Sequence, residues 1–224
     1  MKQCKYIIAL LALCLSHLFA LAQPDNMTWW ALLHVNKPLN NGWSLQFHSE
    51  WHQNVTQNQT DLWMGSPMVG KRITNWLRAD AGWVWCRSRN KGHGDNPSWA
   101  RDMHRPFIQV IASHRFGRIN ASFREYWEWV WLPQTEKNGK TLKGVAYNEF
   151  RHRLKFEYLI PDSRFVPYVY TEARHYSVME QARIAAGTVI KVDKHSSFDL
   201  GWFYQDRRHK INNHVISAAY TLTL

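Results

Sequence analysis

The chain is short of cysteine, of long apolar runs and of helical patterning, and each shortage removes a class of protein. Its 224 residues hold three cysteines, Cys4, Cys14 and Cys86. Two of them lie in the first 22 residues, which excludes a small scaffold held by several disulfides. Beyond residue 22 no apolar stretch approaches the roughly 18 residues of a spanning helix, so a polytopic helical membrane protein is excluded. No amphipathic helical stripe is visible from residue 29 onward. No Ser-centred nucleophile elbow, Gly-rich phosphate loop or zinc-ligand spacing occurs. Global disorder is excluded as well, because 45% of the residues are hydrophobic.

What is present begins with an address. Lys2 and Lys5 precede an apolar stretch from Tyr6 to Leu21, which ends in Ala20-Leu21-Ala22. A positive start, an apolar centre and a small-x-small end read as a secretory signal over residues 1–22, removed on export. Residues 23–224 follow without a linker or a break in composition and read as one domain. Removing Lys2 and Lys5 lowers the formal charge from +11 to +9. That charge is spread along the chain and not gathered in one patch with interleaved aromatics, so no nucleic-acid partner is expected. Contact with the lipid A phosphates of lipopolysaccharide around a rim explains it better.

The exported part alternates at period two. On Arg118 to Trp131 one face carries Arg118, Asn120, Ser122, Arg124, Tyr126 and Glu128. The other carries Ile119, Ala121, Phe123, Glu125, Trp127, Trp129 and Trp131. On Val145 to Ile160, Glu149, Arg151, Arg153, Lys155 and Glu157 face away from Phe150, Leu154, Phe156 and Tyr158, with Asn148 and His152 as exceptions. Eleven such runs start near 28, 43, 60, 76, 103, 118, 145, 165, 180, 197 and 213, separated by turn residues. Two all-β solutions compete. A soluble secreted sandwich that binds carbohydrate or polyanion would turn the apolar face inward. A transmembrane antiparallel up-and-down barrel would turn it outward to lipid.

Run length favours the barrel, because a tilted spanning strand needs about 9–11 residues and an ordinary strand averages about 5–6. So do the thirteen tryptophans. Trp83, Trp85, Trp127, Trp129, Trp131 and Trp202 lie on apolar faces, many near run ends, where interfacial girdles are expected. Short and long connections alternate from Asn54 onward, as between periplasmic turns and outer loops. Single-chain barrels generally have an even strand number. The expected count is therefore ten to twelve strands, with twelve preferred and the weakly alternating run at 60–72, with Pro67 and Gly70, as the suspect.

At this point the residues are similar to a known family. The stretches His104-Arg105-Pro106-Phe107-Ile108-Gln109, Ser113 to Gly117 and Ser122-Phe123-Arg124-Glu125 carry the resemblance. Phe150-Arg151-His152-Arg153-Leu154, Tyr170-Thr171-Glu172, Gly201 to Gln205 and Tyr220-Thr221-Leu222 extend it over roughly 29 to 224. The chain resembles the DUF2490 family, outer-membrane β-barrels found largely in Bacteroidetes, whose function is uncharacterised. The resemblance implies a porin-like fold in the cell outer membrane of a Gram-negative organism. Folding through the barrel-assembly machinery goes with it, and no chemistry is implied.

The inward faces then carry the candidate site: Arg105, Arg124, Glu128, Glu149, Arg151, Arg153, Glu157, Glu172 and Arg174. Charges in a narrow barrel must pair or be hydrated. They form either a salt-bridge plug that fills the lumen or an arginine-lined passage for a small anionic solute. A lipid-modifying enzyme would need Glu149 and Glu172 paired with His175 near a rim, and nothing separates those residues from a structural ion network. His48, Glu50 and His52 form a strip with metal-ligand chemistry, but lumen polarity accounts for it. No metal, cofactor or catalytic residue is assigned.

Overall fold

In the computed structural model of the protein, the described residues are 26–90, 99–137, 140–176, 179–208 and 212–224. The signal read over residues 1–22 lies outside them. The strands are β1 (Met27–Pro38), β2 (Trp43–Asn54), β3 (Gln59–Arg72), β4 (Leu77–Asn90), β5 (Trp99–Phe116), β6 (Ile119–Leu132), β7 (Thr135–Lys137), β8 (Lys140–Leu142), β9 (Val145–Tyr158), β10 (Phe165–His175), β11 (Met179–Lys191), β12 (Ser196–Arg207) and β13 (Asn213–Thr223). All but β7 and β8 close into one barrel, in the order β1-β13-β12-β11-β10-β9-β6-β5-β4-β3-β2. The short β7–β8 hairpin extends the connection between β6 and β9.

The barrel has eleven strands, inside the expected range of ten to twelve but not the preferred twelve. All eleven runs seen in the sequence are wall strands, including the doubtful third. Pro67 lacks an N–H to give to the ladder, and β3 pairs with β4 on either side of it, at Gly65↔Trp85 and Met68↔Gly82. An odd number of up-and-down strands leaves the first and last running the same way. The seam between β1 and β13 is therefore parallel, from Met27↔His214 to Asn36↔Thr223, while the other wall pairings are antiparallel. The alternation of connection lengths holds only in part. Long connections follow β4 and β6, whereas those after β2, β10 and β12 are as short as the turns at the other end.

The apolar face points outward. Trp43, Phe47, Trp63, Ile108, Phe123, Leu154, Phe156, Val169, Ile184, Leu200 and Ile216 are all exposed on the outer surface. The inner face holds small apolar clusters, Met64–Val84–Cys86–Phe107 and Ala185–Phe203–Val215, among many polar groups. A single closed wall with this sense corrects the alternative of a soluble sandwich, whose apolar faces would meet inside. It is the sense of a transmembrane barrel, since lipid accepts apolar side chains and closure leaves no unpaired strand edge.

Local chemistry makes the turns and the lumen fit. Asn41, Gly42, Gly117 and Asp162 take positive φ at the ends of hairpins, where a β-branched residue would be strained. Inside the lumen a Cβ on Gly187 or Gly201 would lie 2.5 and 2.7 Å from the Tyr168 hydroxyl. Two glycines facing each other across β11 and β12 thus make room for a tyrosine to reach Asp199, to which it donates at 2.7 Å.

Candidate functional site: an arginine wall and a histidine wall

The period-two repeat places alternate residues of β6, β9 and β10 on one inner surface. Register then decides which of them meet. Glu128 pairs directly with Glu149 across β6 and β9, and Arg124 with Arg153. Arg153 lies opposite Glu172 and Arg151 opposite Arg174 on β10, and Glu172 lies opposite Arg183 on β11. Like charges face each other in three of these pairs, which would be destabilising alone. Diagonal ion pairs relieve them. Arg151 gives its Nη2 to Glu128 at 2.6 Å and its Nε to Glu149 at 2.9 Å, bridging the two carboxylates.

Three carboxylates hold six guanidiniums. Glu128 also receives Arg105 Nη1 at 3.3 Å and the Tyr126 hydroxyl at 3.2 Å. Glu149 also receives Arg174 Nη2 at 2.5 Å. Glu172 accepts from Arg124 at 2.7 Å, Arg153 at 2.8 Å and Arg183 at 2.8 Å. All three carboxylates are at most 2% exposed. Buried ions survive only when paired and hydrogen-bonded in this way. Aromatic faces carry part of the cationic surplus. Arg151 and Arg124 lie over Tyr126, and Arg153 lies 4.4 Å from the Tyr170 centroid.

The site residues read from the sequence do not all share this cluster. Arg105, Arg124, Glu128, Glu149, Arg151, Arg153, Glu172 and Arg174 form it. Glu157 stands apart with Lys155 at 2.8 Å and Asn120 at 2.8 Å. A separate polar group joins Asp80 to Arg78, Gln46 and Gln109.

The opposite wall, β1 and β2, is built differently. His34 and His48 meet through their Nδ1 atoms at 2.9 Å. His48 Nε2 meets Glu50 Oε1 at 2.6 Å, and Glu50 Oε2 meets His52 Nε2 at 2.7 Å. His52 stacks on Trp30 at 3.6 Å between centroids. The strip His48-Glu50-His52 is thus a run of hydrogen bonds extended by His34. Among the described residues no group of His, Cys, Asp and Glu is disposed to hold a metal ion.

Between the walls lies a cavity of about 370 Å³. Arg105, Arg124, Arg151, Arg153, Arg174 and Arg183 line it, but of the described carboxylates only Glu50 and Asp199 do. Glu128, Glu149 and Glu172 sit behind their arginines. Arg105 Nε and Arg124 Nε are buried and have no hydrogen-bond partner among the described residues.

The tryptophans read as interfacial are on the outer surface. Trp83, Trp127, Trp129 and Trp131 are exposed, and Trp85 and Trp202 are half-buried there. Trp85 packs edge-on against Trp63, and Trp202 stacks on His214. The enzyme arrangement considered from the sequence does not form. Glu149 and Glu172 are engaged by arginines inside, whereas His175 lies against His152, a residue of the apolar outer face, with 2.7 Å between their Nε2 atoms. Sequence reasoning also missed that His152 meets Glu125 on that face, at 2.5 Å. The available signal was the pair of polar exceptions on otherwise apolar faces.

The described fold is similar to the β domain of the Bordetella autotransporter BrkA, with a TM-score of 0.50 and 10% identity over 80% of this chain and 82% of that one. It is also similar to the NanC porin, with a TM-score of 0.51 and 12% identity over 86% of this chain and 93% of that one. At such identities the likeness extends to the fold alone. No curated protein matches the chain. A family model described as "Protein of unknown function (DUF2490)" matches residues 27–215.

Proposed function

The chain belongs to the DUF2490 family, and from that premise we propose an outer-membrane barrel that is closed to bulk flow and admits a small anion. It is exported by residues 1–22 and spans the membrane with residues 23–224 as one domain. Its role is structural or passive, not enzymatic, and it carries no cofactor. The observation that supports this reading is the ratio of charges in the lumen. Six guanidiniums share three carboxylates, and the cavity between the walls is lined by the guanidiniums. A positive surplus in a confined interior attracts an anion, because rings of basic side chains replace its hydration. In this reading the paired side chains fill much of the lumen, as side chains do in small barrels, and leave no wide aqueous channel.

The test has two stages. Expressed with its leader in a Gram-negative host, the chain should enter the outer-membrane fraction and migrate differently on gels with and without boiling. Recovery from the periplasm without detergent would sink the location. In planar bilayers across a salt gradient, the reversal potential should have the sign of anion preference and a small unit conductance. Arg124→Ala with Arg153→Ala should weaken that preference by about tenfold. An unchanged preference would remove the arginines from the path.

A further inference from the structure

The inner face of β3 matches neither charged wall. This strand alternates weakly in the sequence because both of its faces are apolar. Trp63, Pro67 and Val69 are exposed on the outer surface, while Leu62, Met64 and Met68, with Ser66 between them, line the lumen cavity. Val84 of β4 and Phe107 of β5 line it as well. Met64, Val84 and Phe107 pack together around Cys86, and Leu62 and Met68 lie half-buried against that cluster. The interior of an outer-membrane barrel is ordinarily polar. Apolar side chains bordering a lumen cavity gain nothing from water as their neighbour.

The apolar strip faces the arginines. In the ring of eleven strands, four strands separate β3 from β10 on one side and five on the other, so the two stand across the barrel from each other. β9, β10 and β11 bring Arg151, Arg153, Arg174 and Arg183 to the same cavity. The two sides meet at one level of the lumen, where Arg105 Nη2 lies 3.4 Å from the Met64 sulfur and Arg105 shares Glu128 with Arg151. The cavity, about 370 Å³, is more than twice the roughly 150 Å³ that accepts a benzene ring. An inorganic anion would use its cationic side alone and leave Leu62 and Met64 against water. An organic anion with a ring-sized apolar body would use both sides. The arginines indicate the head group. They already hold three carboxylates, and a planar guanidinium matches a carboxylate with two parallel hydrogen bonds.

We propose that the lumen cavity binds a monocarboxylate with a ring-sized apolar body. The head lies toward the arginines of β9, β10 and β11, and the body lies against Leu62 and Met64. The proposal rests on the anion reading given above and narrows it from any small anion to this class.

The mature barrel in neutral-detergent micelles would be titrated calorimetrically with cyclohexanecarboxylate, acetate and cyclohexanecarboxamide, with the heats of empty micelles subtracted. A saturated ring removes cation–π attraction as a source of preference. Cyclohexanecarboxylate should bind about tenfold more tightly than acetate, through its body. It should also bind about tenfold more tightly than the neutral amide, through its head. Leu62→Asn with Met64→Gln keeps the side-chain sizes and leaves Arg105 an acceptor. It should reduce cyclohexanecarboxylate to the affinity of acetate, with heat-modifiable migration as the control for folding. If that variant does not fold, the three wild-type titrations decide alone. Equal binding of cyclohexanecarboxylate and acetate would overturn the proposal and leave the anion reading standing. A folded double variant that keeps the preference would overturn it too. Binding of the amide as tight as that of the carboxylate, or binding of none of the three, would overturn the proposal and the anion reading together.

Discussion

The two walls of the lumen solve the same problem by unlike means. On β5, β6, β9, β10 and β11 the inner face is built of arginine, whose guanidinium is permanently charged, held by glutamate. On β1 and β2 it is built of histidine around a single glutamate. The arginine wall needs every carboxylate, since each holds two or three guanidiniums that would otherwise be buried without compensation. The histidine wall can be neutral ring by ring, so its hydrogen bonds matter more than its net charge. The walls meet at Trp30, which stacks on His52 and lies 5.3 Å from the Arg183 guanidinium. The difference teaches where this barrel stores its constraint: in the few acids of the basic wall.

That comparison can be broken in three places. Glu172→Gln removes the charge that Arg124, Arg153 and Arg183 share. It should cost about 3–5 kcal/mol, as for breaking a buried ion pair from one side. The loss would show as a lower urea midpoint for the heat-modifiable form in detergent, and an unchanged midpoint would mean the arginines are hydrated from the cavity.

Glu50→Gln leaves no orphaned permanent charge and keeps an acceptor for one histidine. It should cost about 1–3 kcal/mol in the same assay. A loss equal to that of Glu172→Gln would show that the histidines are fully charged, and the contrast between the walls would fall. Trp30→Leu should have the smallest effect, about 1 kcal/mol, from the lost stack and cation–π contact. Additivity of Trp30→Leu with each glutamate variant in double-mutant cycles would show that the walls act separately, and coupling would join them through Trp30.

Much of the fold was legible because a strand has a fixed period. The starts of ten of the eleven wall strands, and the inward placement of Arg124, Glu128, Glu149, Arg151 and Arg153, follow from alternation alone, whereas β5 begins at Trp99, four residues before the expected 103. The preference for twelve strands failed because it rested on what barrels generally do, whereas closure here uses a parallel seam at β1 and β13. The cluster of Glu125, His152 and His175 was harder to see. Glu125 and His152 are 27 residues apart, and only the register of β6 against β9 makes them neighbours.

The amino-acid sequence by itself determined which side chains face lipid and which face the lumen, because a one-residue slip would exchange the two sets entirely. It also determined that the lumen is basic. Only the tertiary structure decided which arginine meets which carboxylate, and that the carboxylates lie behind a guanidinium-lined cavity. Those pairings depend on register between strands far apart in the chain and on the shear of the closed barrel, neither of which any single strand encodes.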